Sequence, residues 1–138
     1  MIQKNELKIN NLIIIDNEKH RPTDNGKEAK IISIQEDAAG LQLLEDNYGI
    51  NTFGQFYKYL KPIELTPEWA KKLGFNIVAG GISYDKEKLC LYFGDTILSN
   101  EKGRTYFNSW AILEYTPKYV HELQNLYFAL YGVDLSVS

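Results

Sequence analysis

A chain of 138 residues, 44% hydrophobic and 24% charged, can bury one sizeable core, about 68–70% of its unfolded surface, and has the composition of a globular rather than a disordered protein. Its net charge of −3 is spread evenly, with eight cations against nine carboxylates in residues 1–62 and seven against nine in residues 63–138, so no basic face for a long nucleic-acid tract is expected. Cys90 is the only cysteine, which excludes an intrachain disulfide and a cysteine-based metal cluster.

Leu12–Ile15 is an aliphatic run rich in β-branched residues and predicts a strand. Residues 16–27 are polar and carry Pro22 and the turn signal Asp24-Asn25-Gly26. Residues 30–35 alternate after Ile31, which places Ile32 and Ile34 on one face of a second strand. A turn over residues 36–40 leads to a third strand over residues 40–45. Residues 47–54 read as a looser stretch, followed by a strand over 56–60 and by Lys61-Pro62-Ile63. Four or five short strands around a small core predict an SH3-like β-barrel over residues 1–62.

The second part, residues 63–138, opens with Thr66-Pro-Glu-Trp-Ala-Lys-Lys-Leu-Gly74. A threonine cap, a proline at the first helical position and a glycine stop spell out a short helix. Strands over 75–78 and 82–84 flank the hairpin signal Ala79-Gly80-Gly81. A strand over 88–93 alternates, with Leu89, Leu91 and Phe93 on one face and Cys90 between them as a buried, inert thiol. Strands over 104–108 and 110–114 follow a turn at 100–103. The last helix repeats the capping grammar: Thr116 as cap, Pro117 first, Gly132 last, with Val120, Leu123, Leu126, Tyr127 and Leu130 forming an apolar stripe. The expected fold is α+β, an N-terminal barrel followed by an antiparallel meander packed against this C-terminal helix. The two parts are expected as subdomains, 1–62 and 63–138, sharing a core or merging into one compact domain.

His121, Gln124 and Asn125 share a flank of the last helix at three- and four-residue spacing. Such a row suits either a ligand or the backbone of an adjoining sheet, because buried polar groups need partners. Catalysis by His121 would require a nucleophile or carboxylate that the sequence does not identify. Metal ligation is not expected: His20 lies far along the chain, no His-x-x-x-His or cysteine pair occurs, and Asp16, Glu18, Asp24 and Glu28 miss the calcium-loop spacing. No cofactor motif is present either: no phosphate loop follows Gly80-Gly81, and the Gly-x-Ser-x-Gly pattern is absent.

The segment Gln55-Phe-Tyr-Lys-Tyr-Leu-Lys61, with Trp69, Lys71 and Lys72, interleaves rings with cations. Tyr57, Lys58, Tyr59, Lys61, Trp69, Lys71 and Lys72 are therefore candidates for a platform on which bases stack while lysines meet phosphates. The competing account makes the rings core and the lysines solvated. Ten tyrosines and two tryptophans also suit a protein interface, where such rings supply contact area at low entropic cost. Residues 1–7 lack the features of a signal peptide, and no apolar run approaches the ~20 residues of a membrane span.

Lys118-Tyr-Val-His-Glu-Leu-Gln-Asn-Leu-Tyr-Phe-Ala-Leu-Tyr-Gly132 and the earlier Leu65-Thr-Pro-Glu-Trp-Ala-Lys-Lys-Leu-Gly-Phe75 resemble a family of small uncharacterised proteins encoded by anaerobic gut-commensal bacteria and their prophages. The resemblance covers the C-terminal half well and the N-terminal half in outline. It implies a prophage or mobile-element context and a cytoplasmic product, and it brings no catalytic residue. The expected function is a non-enzymatic protein-interaction module without cofactor, metal or membrane partner. A second copy of the chain is an admissible partner. The alternative is a nucleic-acid-binding accessory using the aromatic and lysine residues.

Overall fold

The computed structural model describes residues 2–46, 52–78, 83–86, 89–95, 102–107, 111–112 and 117–137. The fold is α+β, with two antiparallel five-stranded sheets and two α-helices among the described residues. The chain divides into two compact units, Met1–Glu64 with Tyr119–Asp134, and Leu65–Lys118 with Leu135–Ser138. The second unit is therefore an insertion in the sequence of the first.

In the first unit, a 3-10 turn at Lys4–Glu6 precedes β1 (Leu12–Ile15), β2 (Glu28–Ile34), β3 (Ala38–Leu43), β4 (Thr52–Phe56) and β5 (Leu60–Lys61). They form a curled sheet in the order β4-β3-β2-β1-β5. Ile13, Ile15, Ala29, Ile31, Ala39, Leu41 and Leu60 build its core together with Ile2 and Leu7. β1 is apolar without alternation because it is covered on both faces. Ile13 and Ile15 enter the core, while Leu12, equally buried, points to the opposite face, where β1 contacts the last helix.

Two expectations for this sheet are corrected. Ile32 and Ile34 do not share a face: the register shifts between Ile31 and Ser33. This irregularity changes the parity of the strand, so Ala29, Ile31 and Ile34 all meet the core. The strand expected over 56–60 is instead the end of β4, a 3-10 turn at Tyr57–Tyr59 and the start of β5. β4 begins within the stretch read as loose because its inward positions, Phe53 and Gln55, are one ring and one amide, a weak hydrophobic pattern. Residues 47–51 lie outside the described residues.

The last helix, α2 (Val120–Tyr131), belongs to this first unit, in contrast to the expected packing on the meander. It also starts later than Pro117. Residues 118 and 119 are held as extended chain: Glu64 bridges Tyr119, Leu65 N–H donates to Lys118 O at 2.9 Å, and the N–H of Val120, the first helical residue, donates to Ile63 O at 2.8 Å. Helix can begin only beyond this pairing, where the Glu122 carboxylate accepts the Tyr119 N–H at 3.1 Å, one half of a capping box. Thr116, the expected cap, lies outside the described residues. Gly132 closes the helix at φ 71°, its N–H on Phe128 O at 2.8 Å.

In the second unit, α1 (Pro67–Lys72) is built as expected. Thr66 Oγ1 accepts Trp69 N–H at 3.3 Å. Gly74 (φ 89°) donates to Lys71 O and Phe75 to Ala70 O, both at 3.0 Å, the paired bonds of a Schellman stop. β6 (Asn76–Val78), β7 (Ser83–Lys86), β8 (Leu89–Asp95), β9 (Lys102–Phe107) and β10 (Ala111–Ile112) form a meander in the order β10-β9-β8-β7-β6. β6 and β7 pair from Asn76↔Asp85 to Val78↔Ser83, as the hairpin signal predicts, while Ala79-Gly80-Gly81 itself lies outside the described residues. Lys102 and Gly103, expected in a turn, already belong to β9. The Cys90 backbone pairs with Asp85 and Tyr106, and its thiol lies outside what is described.

Because residues 63–65 and 118–120 pair at the neck of the insertion, joining Leu65 to Lys118 through a short hairpin turn, with the chain ended after Asp134, should leave the first unit folded. The expected outcome is a single cooperative urea transition and dispersed amide spectra. Loss of cooperativity in this shortened chain would show that the first unit depends on the inserted one.

Candidate functional site

Gln124 is 4% exposed, and both ends of its amide bond the backbone at and just before the start of β1. Its Oε1 accepts Leu12 N–H at 2.8 Å and its Nε2 donates to Asn10 O at 3.0 Å. Asn125 extends the pattern, accepting from Asn11 Nδ2 at 2.9 Å and donating to Glu6 O at 2.8 Å. Two members of the polar row thus bind the backbone and side chains of the N-terminal segment. The buried stripe of α2 is turned accordingly: Val120, His121, Leu123, Gln124 and Tyr127 are buried, whereas Leu126 and Leu130, expected in the stripe, are half-buried.

His121 is 3% exposed, and its Nδ1 is enclosed without a hydrogen-bond partner. Its ring stacks on that of Tyr119, with centroids 6.0 Å apart and planes at 9°. Burial holds its pKa below the ordinary histidine value, opposed by the charges of Glu122 and Glu6. Burial therefore favours the neutral imidazole.

The aromatic and lysine candidates fall in both units. In the first, Tyr57 donates its hydroxyl to Gln35 O at 2.6 Å, Lys58 lies over the Tyr59 ring at 5.1 Å, and Lys61 is exposed. In the second, Trp69 is buried beneath Lys72, whose ammonium lies 4.4 Å from the ring centroid, and Lys71 is exposed.

A cleft of about 350 Å³ opens in the first unit between β4 and the loop after β1. Gly54, Gln55 and Phe56 form one side, with Ala38 beside them, and Asn17, His20 and Tyr59 form the other. Phe56 is 56% exposed at the rim. The His20 and Tyr59 rings meet edge to face, with centroids 6.1 Å apart at 71°. The floor is an amide pair: Asn17 Nδ2 donates to Gln55 Oε1 at 2.8 Å, and both residues are buried. The loop is braced by Asn25 Oδ1, which accepts Asn17 N–H at 2.9 Å, and by Asp16 N–H, which donates to Tyr59 O at 2.8 Å. Arg21 lies 3.7 Å over the Phe53 ring and pairs with Asp24 at 2.6 Å.

Of the residues singled out from sequence, Tyr59 lines this cleft, and His121, Gln124 and Asn125 do not. Phe56 and Gln55 stand at the start of the aromatic segment, but nothing in sequence pairs them with Asn17 and His20 across more than thirty residues. Among the described residues, no group of three His, Cys, Asp or Glu side chains is placed to hold a metal ion. No helix among them is long and apolar enough to cross a membrane. Comparison of the chain with protein-family models, with curated proteins and with solved structures finds no match.

Two measurements check this account of α2. Gln124→Leu leaves Leu12 N–H and Asn10 O without partners, at about 1–3 kcal/mol for each buried group, and should lower stability to urea by several kcal/mol in all. A loss below 1 kcal/mol would mean that water or another group takes over both bonds. The depressed pKa of His121 means that the unfolded chain takes up its proton first. Its contribution is complete above the unfolded value near 6.5 and declines as pH falls from there towards the lower folded value. The wild-type melting temperature should therefore drop from pH 7.5 to 5.5 by more than that of His121→Phe; parallel profiles would contradict the assignment.

Proposed function

We propose that the chain is a non-enzymatic protein-interaction module, and that the cleft beside β4 is where the partner docks. The observation that carries this reading is Phe56: a large ring, mostly exposed, at the rim of a concave site whose other walls are rings and a buried amide pair. Exposed aromatic side chains beside a preformed pocket are the usual anchors of protein contacts. We further propose that the first unit is an SH3-like barrel. The strand order β4-β3-β2-β1-β5, the long loop between β1 and β2, and the 3-10 turn between β4 and β5 support that assignment. The resemblance of the two C-terminal motifs supports a prophage or mobile-element origin and action in the cytoplasm.

Nucleic acid is the less favoured partner. Among the described residues, the cleft is lined by no lysine or arginine, and on the adjoining loop Arg21 pairs with Asp24 while Lys27 pairs with Glu45 at 2.7 Å. Cations already matched by carboxylates release few counterions from a phosphate backbone.

The test is capture from a lysate of the native host, with and without nuclease, using the tagged chain, Phe56→Ser and the control Phe128→Ser. A protein retained after nuclease and at moderate salt, lost with Phe56→Ser and kept with the control, is expected. Equal capture by both variants would place the interaction elsewhere. Recovered nucleic acid that disappears steeply with salt would move the assignment to the nucleic-acid reading.

A further inference from the structure

Among the described residues, the lining of the cleft contributes no carboxylate, ammonium or guanidinium group. Nothing in it compensates the desolvation of a charged ligand, which is costly in a concave, partly enclosed site. The volume, about 350 Å³, stands at the small end of the roughly 300–1,000 Å³ range of ligand pockets. It has room for one large side chain with the backbone on either side.

The walls select among neutral groups. His20 and Tyr59 already meet edge to face, and Phe56 presents a further ring at the rim. A ring entering between them adds aromatic contacts beyond its buried area, whereas an aliphatic side chain gains only the burial. The floor keeps unused hydrogen-bonding capacity. Gln55 Oε1 accepts one bond from Asn17, and Gln55 Nε2 donates one hydrogen to Gly54 O at 3.0 Å. A primary amide has two donor hydrogens and two lone pairs, so one of each remains on Gln55. The Tyr59 hydroxyl adds a group that both donates and accepts. Such sites suit an extended chain, whose main-chain groups have no partners of their own.

We infer that the cleft takes an uncharged segment of a partner polypeptide, seating one aromatic side chain among Phe56, Tyr59 and His20 while the neighbouring peptide groups meet Gln55 and the Tyr59 hydroxyl. This rests on the protein-interaction reading above and supplies the chemistry of the partner. Affinity then depends little on ionic strength, because no ion pair forms.

The experiment is a titration of the isotope-labelled full chain, followed by NMR, with four probes: N-acetyltryptophan amide, N-acetylleucine amide, N-acetyl-phosphotyrosine amide and adenosine. The tryptophan amide should give saturable shifts at the Gln55 side-chain amide, Phe56 and Tyr59, unchanged by added salt. Binding should weaken about tenfold in Phe56→Ser. Spectra of Phe56→Ser that match wild type away from the cleft establish that the variant is folded. Equal binding of the leucine amide would overturn the preference for a ring. Tighter binding of the phosphotyrosine amide would overturn the requirement for an uncharged segment. Tighter adenosine binding would point to a base in place of a side chain. Absence of saturable shifts at the cleft with every probe would overturn the seating of an aromatic side chain there. If the probes fail while capture of a partner still depends on Phe56, only the aromatic assignment falls; if that dependence is also missing, the interaction reading falls with it.

Discussion

Gln124 stands where β1 would otherwise lack a neighbour. β5 pairs only with Ile14 and Ile15, so the N-terminal end of β1 has free backbone groups on that side. A buried N–H or C=O without a partner is strongly disfavoured. The Gln124 amide supplies one acceptor for Leu12 and one donor for Asn10, doing the work of a peptide group in an absent strand. Asn125 adds a bond to Glu6 O and accepts one from the Asn11 side chain. The position of α2, the burial of Leu12 and the path of residues 6–12 follow from those bonds, because apolar contact alone would tolerate small rotations of the helix that an amide with two fixed partners does not.

How much of this is legible in the sequence depends on whether the controlling signal is local. α1 is fully specified by residues within one turn of its ends, and Thr66, Pro67 and Gly74 act as their types predict. Pro117 obeys the same local grammar, yet no helix starts there, because pairing of 118–120 with 63–65 wins over capping propensity. The parity change in β2 is equally invisible, since Ile31, Ile32 and Ile34 fit either face by composition. The polar row on α2 is legible as a row, and of its two readings Gln124 meets sheet backbone at Leu12, whereas Asn125 meets Glu6 O in the 3-10 turn and the Asn11 side chain. Its partner is the N-terminal segment of the first unit, which helical spacing cannot reveal.

The cleft shows the same limit at the candidate site. The aromatic and lysine segment draws notice for its cations, but the concave surface uses its neutral members, Gln55, Phe56 and Tyr59. They become a site because the loop after β1 folds back over the end of β4 and places His20 against Tyr59 and Asn17 against Gln55. The edge position of β4 in the sheet makes room for this. An edge strand presents unpaired main-chain groups that invite another chain, and here Gly54 O is occupied by the Gln55 side chain itself. That bond satisfies one main-chain group of the edge, and the same glutamine lines the cleft.

The order of the chain adds a constraint on folding. The bonds that complete the sheet of the first unit join residues 112–119 positions apart, and every one of them needs α2. During synthesis, β1 to β5 emerge first and remain without Gln124 and Asn125 until the whole inserted unit has been made. Contacts of such separation carry a large loop-closure cost, which slows folding. The insertion offsets part of it, because the pairing of residues 63–65 with 118–120 brings the two ends of the inserted segment together. With those ends joined, α2 starts one residue after Tyr119, the partner of Glu64, and Gln124 follows about one helical turn further on.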